Sequence, residues 1–222
     1  MSEETKHIDI PQEAEPSSFR LISTLGVAGF LSGLILVSAF LLTKPIIERN
    51  KAEALRKAIF NVLPGTTSFK TFELKDGQLT EVEKPEGEVI FLGLNDGLES
   101  TGFAISDKEA GFQDLVGVIY GYNPETKMIV GYEVLDCKET PGLGDKIFKD
   151  LAFVENFKAL VVDPEIVLVK KGEKKNPNEV DAITGATISS RTVVKLLNRS
   201  LGKWREPIET FTVSASSNND VK

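Results

Sequence analysis

The fold is decided by the stretch Leu115-Val-Gly-Val-Ile-Tyr-Gly-Tyr122, which continues through Asn123-Pro-Glu-Thr-Lys127 into Met128-Ile-Val-Gly-Tyr-Glu-Val-Leu135. Both apolar runs are rich in β-branched and aromatic residues, and a turn-forming Asn-Pro pair separates them. Alternate residues of a strand share a face. One face would carry Val116, Val118, Tyr120 and Tyr122, and another Met128, Val130, Tyr132 and Val134. The stretch therefore predicts a long antiparallel hairpin.

Shorter elements surround this hairpin. Apolar runs predict strands at residues 69–74, 79–82, 89–94 and 166–169, with a strong turn signal at Lys75-Asp-Gly77 between the first two. Helical spacing of apolar residues predicts helices at 146–160 and 189–201. Antiparallel strands with packed helices form an α+β domain, which we expect to occupy residues 66–211.

One segment near the N-terminus is long and apolar enough to span a membrane. The 22 residues from Leu21 to Leu42 contain no charged side chain, and as a helix they would extend about 33 Å, the thickness of a bilayer's hydrocarbon core. We predict a single transmembrane helix at 19–43, a juxtamembrane amphipathic helix at 44–65, and disordered tails at 1–18 and 212–222. A buried helix of a soluble protein is the alternative.

Composition excludes several classes of protein. The formal net charge is −7, whereas nucleic-acid-binding domains present a basic face, so no nucleic-acid partner is expected. The sequence has one cysteine, Cys137, and one histidine, His7. One cysteine cannot supply the four thiolates of an iron–sulfur cluster, and a histidine in the acidic tail offers no general base. The sequence therefore predicts neither a metal site nor a catalytic residue.

The run Asp181-Ala-Ile-Thr184-Gly185-Ala186-Thr187-Ile-Ser189-Ser190 places hydroxyl groups on both sides of a Gly-Ala pair, directly before a predicted helix. Gly185 permits close approach of a ligand, and the free N–H groups at a helix start favour a phosphate. A threonine hydroxyl there could hydrogen-bond the phosphate or be esterified by it. The same residues also fit a helix N-cap at Thr187 or Ser189, and both interpretations stay open.

A second run, Glu139-Thr140-Pro141-Gly142-Leu143-Gly144-Asp145-Lys146, lies upstream. Its glycines are typical of a loop whose backbone N–H groups approach an anionic or planar ligand. The alternative is a simple turn in which Asp145 caps the following helix.

Taken jointly, the membrane segment leading into Leu42-Thr-Lys-Pro45 and the two runs make the chain similar to the FMN-binding domain family. The resemblance spans residues 20–200 and points to the G subunits of Rnf electron-transport complexes, with the C subunits of sodium-pumping NADH:quinone oxidoreductases as relatives. It implies that a flavin transferase joins FMN covalently, through its phosphate, to the hydroxyl of Thr187. The other implied cofactor-binding residues are Asp181, Thr184, Gly185, Ala186, Ser189 and Ser190 around the attachment point, and Glu139, Thr140, Pro141, Gly142, Leu143 and Gly144 along the flavin.

The resemblance also implies an electron carrier within a membrane complex that couples electron transfer between ferredoxin and NAD to sodium or proton translocation. The chain would be one subunit of this oxidoreductase, without a complete substrate site of its own. Its partners would be the other membrane subunits, the flavin transferase and membrane lipid. Two other functions stay open: a membrane-anchored flavin reductase with its own substrate, and an assembly module without flavin.

Two positions depart from the family pattern. The family implies a Gly-Tyr-Gly-Gly-like stretch before the hairpin, where this chain has Gly111-Phe-Gln-Asp114, so a flavin contact at 111–114 is not assigned. It implies a histidine shortly before Glu139, where this chain has Cys137. Cys137 is either a thiol near the flavin ring or a buried structural residue.

The distribution of positive charge bears on orientation in the membrane. Lysines and arginines lie mostly on the C-terminal side of the apolar segment, at Lys44, Arg49, Lys51, Arg56 and Lys57. By itself this count places the main domain in the cytoplasm. The resemblance instead implies a single-pass protein of the bacterial or archaeal cytoplasmic membrane whose main domain lies on the outer, periplasmic side. We expect the latter, because packing within a complex can set topology.

Overall fold

The computed structural model describes residues 17–219, with side chains through residue 212. Nearly all of the predicted tail at 1–18 lies outside the described residues. The chain divides into two compact units, residues 1–51 and residues 52–222.

Helix α1, Ser18–Val62, carries the predicted membrane segment. In the first unit its apolar side chains, such as Leu25 and Leu36, are exposed. Among the described residues, α1 is the one helix whose length and apolar composition suffice to cross a bilayer. The sequence predicted two helices that meet near residue 44, whereas the structure has a single helix with Pro45 inside it. Strong helix formers such as Glu, Ala, Leu, Arg and Lys follow the proline and continue the helix.

The second unit is built on a seven-stranded antiparallel sheet in the order β2-β1-β3-β4-β5-β6-β7. Its strands are β1 (Ser68–Lys75), β2 (Gln78–Glu81), β3 (Val89–Leu94), β4 (Ser100–Ala110), β5 (Leu115–Asn123), β6 (Met128–Asp136) and β7 (Leu160–Val161). A separate parallel pair joins β8 (Val167–Val169) to β9 (Glu179–Asp181). The remaining helices are α2 (Lys146–Lys149), α3 (Leu151–Glu155) and α4 (Thr187–Asn219). The predicted α+β class is confirmed.

The central hairpin forms as predicted, but only one of its two predicted faces is correct. The alternate residues of β5 from Val116 to Tyr122 all lie in the larger hydrophobic core. In β6, Val130 packs in the smaller core on the other face, whereas Ile129 and Tyr132 join the larger one. The pairing register shifts twice along this hairpin. Each such bulge inserts one residue and reverses the faces beyond it, which simple alternation cannot predict.

Two hydrophobic cores lie on opposite faces of the sheet. The larger core packs α4, through residues such as Leu197 and Trp204, against the strands. The smaller core packs the C-terminal end of α1, including Ile59 and Val62, against Ile119 and its neighbours. Gly131 permits this contact, because a Cβ at that position would lie 2.5 Å from the carbonyl oxygen of Val62.

Several further elements differ from the sequence-based expectations, and the short strands β7 and β9 were not predicted. The predicted helix at 146–160 is interrupted by Asp150, whose extended backbone ends α2 and whose carboxylate accepts a hydrogen bond from the N–H of Ala152 at the start of α3. Helix α4 continues to Asn219, over most of the predicted tail at 212–222. Strand β4 was not predicted, because its second half, Ser106-Asp-Lys-Glu109, reads as a charged surface segment.

Candidate functional site

The two runs singled out in the sequence meet at one cleft of about 340 Å³, which we call the motif cleft. One wall comes from the loop between β6 and α2, and the other from the first turn of α4. The segment between β4 and β5 closes one side. The lining residues are Phe112, Glu139, Thr140, Leu143, Gly144, Gly185, Ala186, Thr187, Ile188 and Ser189.

Glu139 ties these three segments together. Its side chain is buried, and its Oε1 accepts hydrogen bonds from the backbone N–H groups of Phe112 at 2.8 Å and Gln113 at 3.0 Å. Its Oε2 accepts a hydrogen bond from the hydroxyl of Ser189 at 3.3 Å. Hydrogen bonds to a buried carboxylate are stronger than those between neutral groups. Glu139 therefore fixes the relative positions of the β4–β5 segment, its own loop and α4.

The floor of the motif cleft has no room for larger side chains. A Cβ at Gly144 would lie 2.5 Å from the Cβ of Glu139, and a Cβ at Gly111 would clash with the Glu139 carboxylate. Phe112, Leu143 and Ile188 are exposed at 67%, 49% and 51% and form an apolar rim. A planar aromatic ring would bury this rim.

The turn of the Glu139–Lys146 run is held by Asp145. The carboxylate of Asp145 accepts a hydrogen bond from the N–H of Gly142 at 2.7 Å and pairs with Lys149 Nζ at 2.6 Å. The hydrogen bond from Lys149 is the main reason why the pKa of Asp145 is lowered from its ordinary value. Asp145 occupies the N-cap position of α2, as the turn alternative expected, but its side chain makes no cap hydrogen bond to that helix. Pro141 and Gly142 lie at the exposed tip of the turn and not among the residues that line the cleft.

The turn of the Asp181–Ser190 run is held from beneath by Ser190, which is fully buried. Its hydroxyl donates to the carbonyl of Ala186 at 2.9 Å and accepts from the N–H of Ile183 at 3.1 Å. Gly185 adopts φ 83°, a left-handed conformation that disfavours other residues. Ser190 therefore shapes the turn and does not line the motif cleft.

Helix α4 begins at Thr187, whose side chain is exposed. Among the residues that the structure describes, no acceptor lies within hydrogen-bond distance of the N–H groups of Thr187, Ile188 and Ser189. No hydroxyl of this turn caps the helix, since that of Ser189 donates to Glu139. The N-cap interpretation is therefore not supported, and the helix start is open to an anion.

A second cleft, of about 520 Å³, lies on the other side of Thr187, and we call it the basic cleft. Thr184, Gly185 and Thr187 contribute to it from the attachment turn. Its charged residues are Lys170 and Lys171, which follow β8, and Arg191, one turn into α4. Thr187 and Gly185 thus line both clefts.

Asp181 and Cys137 line neither cleft. The carboxylate of Asp181 accepts hydrogen bonds from the backbone N–H groups of Gly172 at 3.0 Å and Lys174 at 3.3 Å, so it holds the loop after β8. Cys137 is partly buried against the larger core, and burial raises the pKa of its thiol. The structure therefore favours the structural alternative for Cys137.

Sequence reasoning did not assign several residues that line the two clefts. Phe112 is an exposed apolar residue and Ile188 lies within the Asp181–Ser190 run itself, so the sequence could have indicated both. Arg191 follows Thr187 by four residues, whereas Lys170 and Lys171 are far from the turn in sequence and only the fold brings them to Thr187.

Comparison with known proteins supports the same region as the functional one. Residues 111–202 match the FMN-binding domain family. This segment contains both runs and every residue of the motif cleft. The resemblance to this family inferred from the sequence is confirmed.

Curated relatives extend the similarity over most of the chain. The chain is 28% identical over 193 residues to the G subunit of the Na(+)-translocating ferredoxin:NAD(+) oxidoreductase complex of Acetobacterium woodii, covering 82% of this chain and 91% of the relative. It is 27% identical over 184 residues to the G subunit of the ion-translocating oxidoreductase complex of Methanosarcina acetivorans, covering 82% and 92%.

Solved structures share the fold. NqrC of Shewanella oneidensis aligns with a TM-score of 0.59 at 16% sequence identity, covering 76% of this chain and 99% of that protein. The C subunit of the Na(+)-translocating NADH-quinone reductase of Parabacteroides distasonis aligns with a TM-score of 0.57 at 19% identity, covering 72% and 94%. At these identities the likeness concerns the fold alone.

Proposed function

We propose that this chain, with its FMN-binding domain, is the electron-carrying G subunit of a membrane complex that couples electron transfer between ferredoxin and NAD to sodium or proton translocation. The observation that carries the proposal is the convergence of the two runs on one cleft with Thr187 at its edge. The relatives named as G subunits of such complexes align over most of the chain, which supports the same assignment.

FMN is bound in this proposal through a phosphoester on the hydroxyl of Thr187, formed by a flavin transferase. Two features of the site fit FMN: one fits its phosphate and the other its flavin ring. The hydroxyl is exposed at a helix start whose N–H groups have no acceptor in the described structure, and such ends bind phosphate. The motif cleft is near the small end of the range of ligand sites, about 300–1,000 Å³, which suits the flavin ring rather than the whole nucleotide.

When bound, FMN supplies reversible transfer of one or two electrons. The residues of the chain position it. Phe112, Leu143 and Ile188 would cover the ring, and Gly144 lets its loop pack closely against the side chain of Glu139. Glu139 keeps both walls in place and is already occupied by three hydrogen bonds, so it is a positioning residue.

The chain is anchored in this proposal by α1 in the cytoplasmic membrane, with the main domain on the outer side. The exposed apolar length of α1 supports contact with lipid and with the other membrane subunits. Protease accessibility in sealed inverted vesicles tests the orientation. Protection of the main domain inside the vesicles is expected, and its digestion from outside would reverse the assignment.

Denaturing gel electrophoresis of the full chain, produced with its flavin transferase, tests the attachment. We expect flavin fluorescence that survives denaturation, and an intact mass increased by one FMN. Thr187→Ala should abolish both, because it removes the only atom that forms the ester. Thr126→Ala is the matched control, since it removes an exposed threonine that lies outside both clefts. Thr187→Ser should retain part of the signal if the transferase accepts serine.

Other outcomes separate the alternatives. FMN that stays with Thr187→Ala at another side chain would overturn the site. A native chain without any flavin adduct would indicate the assembly module. Bleaching of the flavin by a small substrate added to the isolated chain would indicate a reductase with its own substrate.

A further inference from the structure

The two clefts that share Thr187 differ in charge. The motif cleft contains the carboxylate of Glu139 and no lysine or arginine. The basic cleft contains Lys170, Lys171 and Arg191 and no acidic residue. A group attached to Thr187 therefore has the apolar motif cleft with its carboxylate on one side and the basic cleft on the other. A phosphate placed in the motif cleft would face a carboxylate of like charge, which is unfavourable.

The cations of the basic cleft are not used by the protein itself. In the part of the chain that the structure describes, none of Lys170, Lys171 and Arg191 forms an ion pair or donates a side-chain hydrogen bond. The chain has 33 acidic and 26 basic residues, so carboxylates are abundant and their absence here is a local feature. Cations that gather without a counter-charge repel one another, and a bound anion would relieve this repulsion.

The segments that carry these cations are fixed beside Thr187. Arg191 follows Thr187 by four residues on α4, and residues at this spacing are neighbours on one helix face. Lys170 and Lys171 precede the loop that Asp181 holds through Gly172 and Lys174. The side chain of Lys174 is itself anchored to the buried Asn156 at 3.2 Å.

We propose that the basic cleft is the phosphate subsite of the flavin nucleotide. Lys170, Lys171 and Arg191, with the open N–H groups at the start of α4, would hold the negative charge of the phosphate while the ring lies in the motif cleft. The inference rests on the proposed function and deepens it. It assigns Asp181 to the support of this subsite rather than to direct contact with FMN.

Reversible binding to the full chain in detergent tests the subsite without the transferase. The Thr187→Ala background prevents the ester, and FMN and riboflavin are titrated separately by quenching of flavin fluorescence. The two probes differ only in the phosphate. We expect FMN to bind at least about tenfold more tightly than riboflavin at low salt, which corresponds to about 1.4 kcal/mol. The preference should shrink at high salt, and inorganic phosphate should compete with FMN and not with riboflavin.

A charge-matched pair of variants decides the result. Lys170→Gln, Lys171→Gln and Arg191→Gln together should bring the FMN affinity to that of riboflavin and leave riboflavin binding unchanged. Lys84→Gln, Lys127→Gln and Lys158→Gln remove the same charge from exposed positions outside both clefts and should keep the preference. An unchanged preference in the first triple variant, equal binding of both flavins to the parent, or no binding of FMN overturns the proposal.

Covalent incorporation of FMN in cells is the second test of the phosphate subsite. With Thr187 intact and the transferase present, the basic-cleft triple variant should carry several-fold less FMN by intact mass than the control triple variant. Reduced incorporation with an unchanged FMN preference would assign the cleft to docking of the transferase and overturn the phosphate subsite. A parent chain with FMN at another residue would refute the proposed attachment, whereas FMN on Thr187 with equal incorporation in both triples would refute the subsite alone.

Discussion

The cations of α4 fall into two groups. Lys195, Arg199, Lys203 and Arg205, along the middle of the helix, each pair with a carboxylate. Arg191, one turn from the helix start, has no such pair in the described structure and lies with Lys170 and Lys171 in the basic cleft. The paired cations therefore bind α4 to the rest of the domain, whereas the unpaired cations remain available to a ligand.

The paired group centres on Glu109 of β4, whose side chain is buried. Lys195 Nζ lies 3.0 Å from its Oε1, and Arg199 donates to its Oε2. Arg199 also pairs with Asp107 at 3.0 Å. The hydrogen bond from Lys195, together with the charge of Arg199, holds the pKa of Glu109 below its ordinary value in spite of desolvation. The polar half of β4 pairs with β5 through its backbone, and this network compensates the charge of its carboxylates.

The largest expected effect comes from the paired group. Glu109→Gln should lower the free energy of unfolding by about 1.5–3 kcal/mol, the range for hydrogen bonds to a charged group. The middle of this range rather than its upper end is expected, because the side chains of Lys195 and Arg199 are 67% and 49% exposed and can return to water. Urea unfolding followed by the fluorescence of Trp204, the single tryptophan and 3% exposed, measures it. The FMN content should not change.

The same variant has a defined pH dependence. A carboxyl whose folded pKa is depressed stabilises the fold above its unfolded pKa, and this stability is lost as pH falls through the folded pKa. The difference in free energy of unfolding between the parent and Glu109→Gln should therefore be largest at neutral pH. It should disappear as the pH falls below 4.5, the ordinary pKa of Glu. If this difference in free energy stays constant at acidic pH, packing and not charge explains the lower stability of Glu109→Gln.

A smaller effect is expected at the attachment turn. Gly185→Ala should cost about 1–2 kcal/mol, because an L-residue in the left-handed conformation is strained. A new Cβ there would meet no atom within 4 Å, so conformation alone is responsible. Gly202→Ala, at an exposed helical glycine with equally open space, is the control and should not destabilise the chain. Equal stability of Gly185→Ala and the parent would show that the turn adopts another conformation.

The smallest effect on stability is expected from the unpaired group. Lys170→Gln, Lys171→Gln and Arg191→Gln should each change the free energy of unfolding of the flavin-free chain by less than about 0.5 kcal/mol, as is usual for exposed residues without structural contacts. The urea titration with Trp204 fluorescence applies here too. A loss as large as that of Glu109→Gln would remove the distinction between the two groups.

The prediction from sequence succeeded where the signal is local. The apolar length of α1, the turn between β5 and β6, and the two runs each depend on residues close together in the chain. Prediction was wrong where a distant partner decides the outcome. The charged half of β4 pairs with β5, and its Glu109 finds distant partners in Lys195 and Arg199. Val130 changes face because the register shifts along β5 and β6.

The candidate site shows the same division. Thr187 and Glu139 were identified from their runs, and the structure places both at the motif cleft. Ser190 and Asp181 were given the same cofactor-binding role, yet Ser190 fastens the turn and Asp181 holds a separate loop. Asp145, expected to cap a helix, holds the other turn through Gly142. A sequence run shows which residues are together along the chain, but the direction of each side chain depends on the local backbone conformation, which the run does not reveal.

The sequence by itself determined the membrane-length helix, the α+β class and the hydroxyl-bearing turn before α4, because periodicity and turn chemistry act over a few residues. Only the tertiary structure decided that the two runs share a cleft and that three cations gather behind Thr187. Contacts such as Phe112 to Glu139 close long loops, and their geometry follows from the packing of the whole sheet.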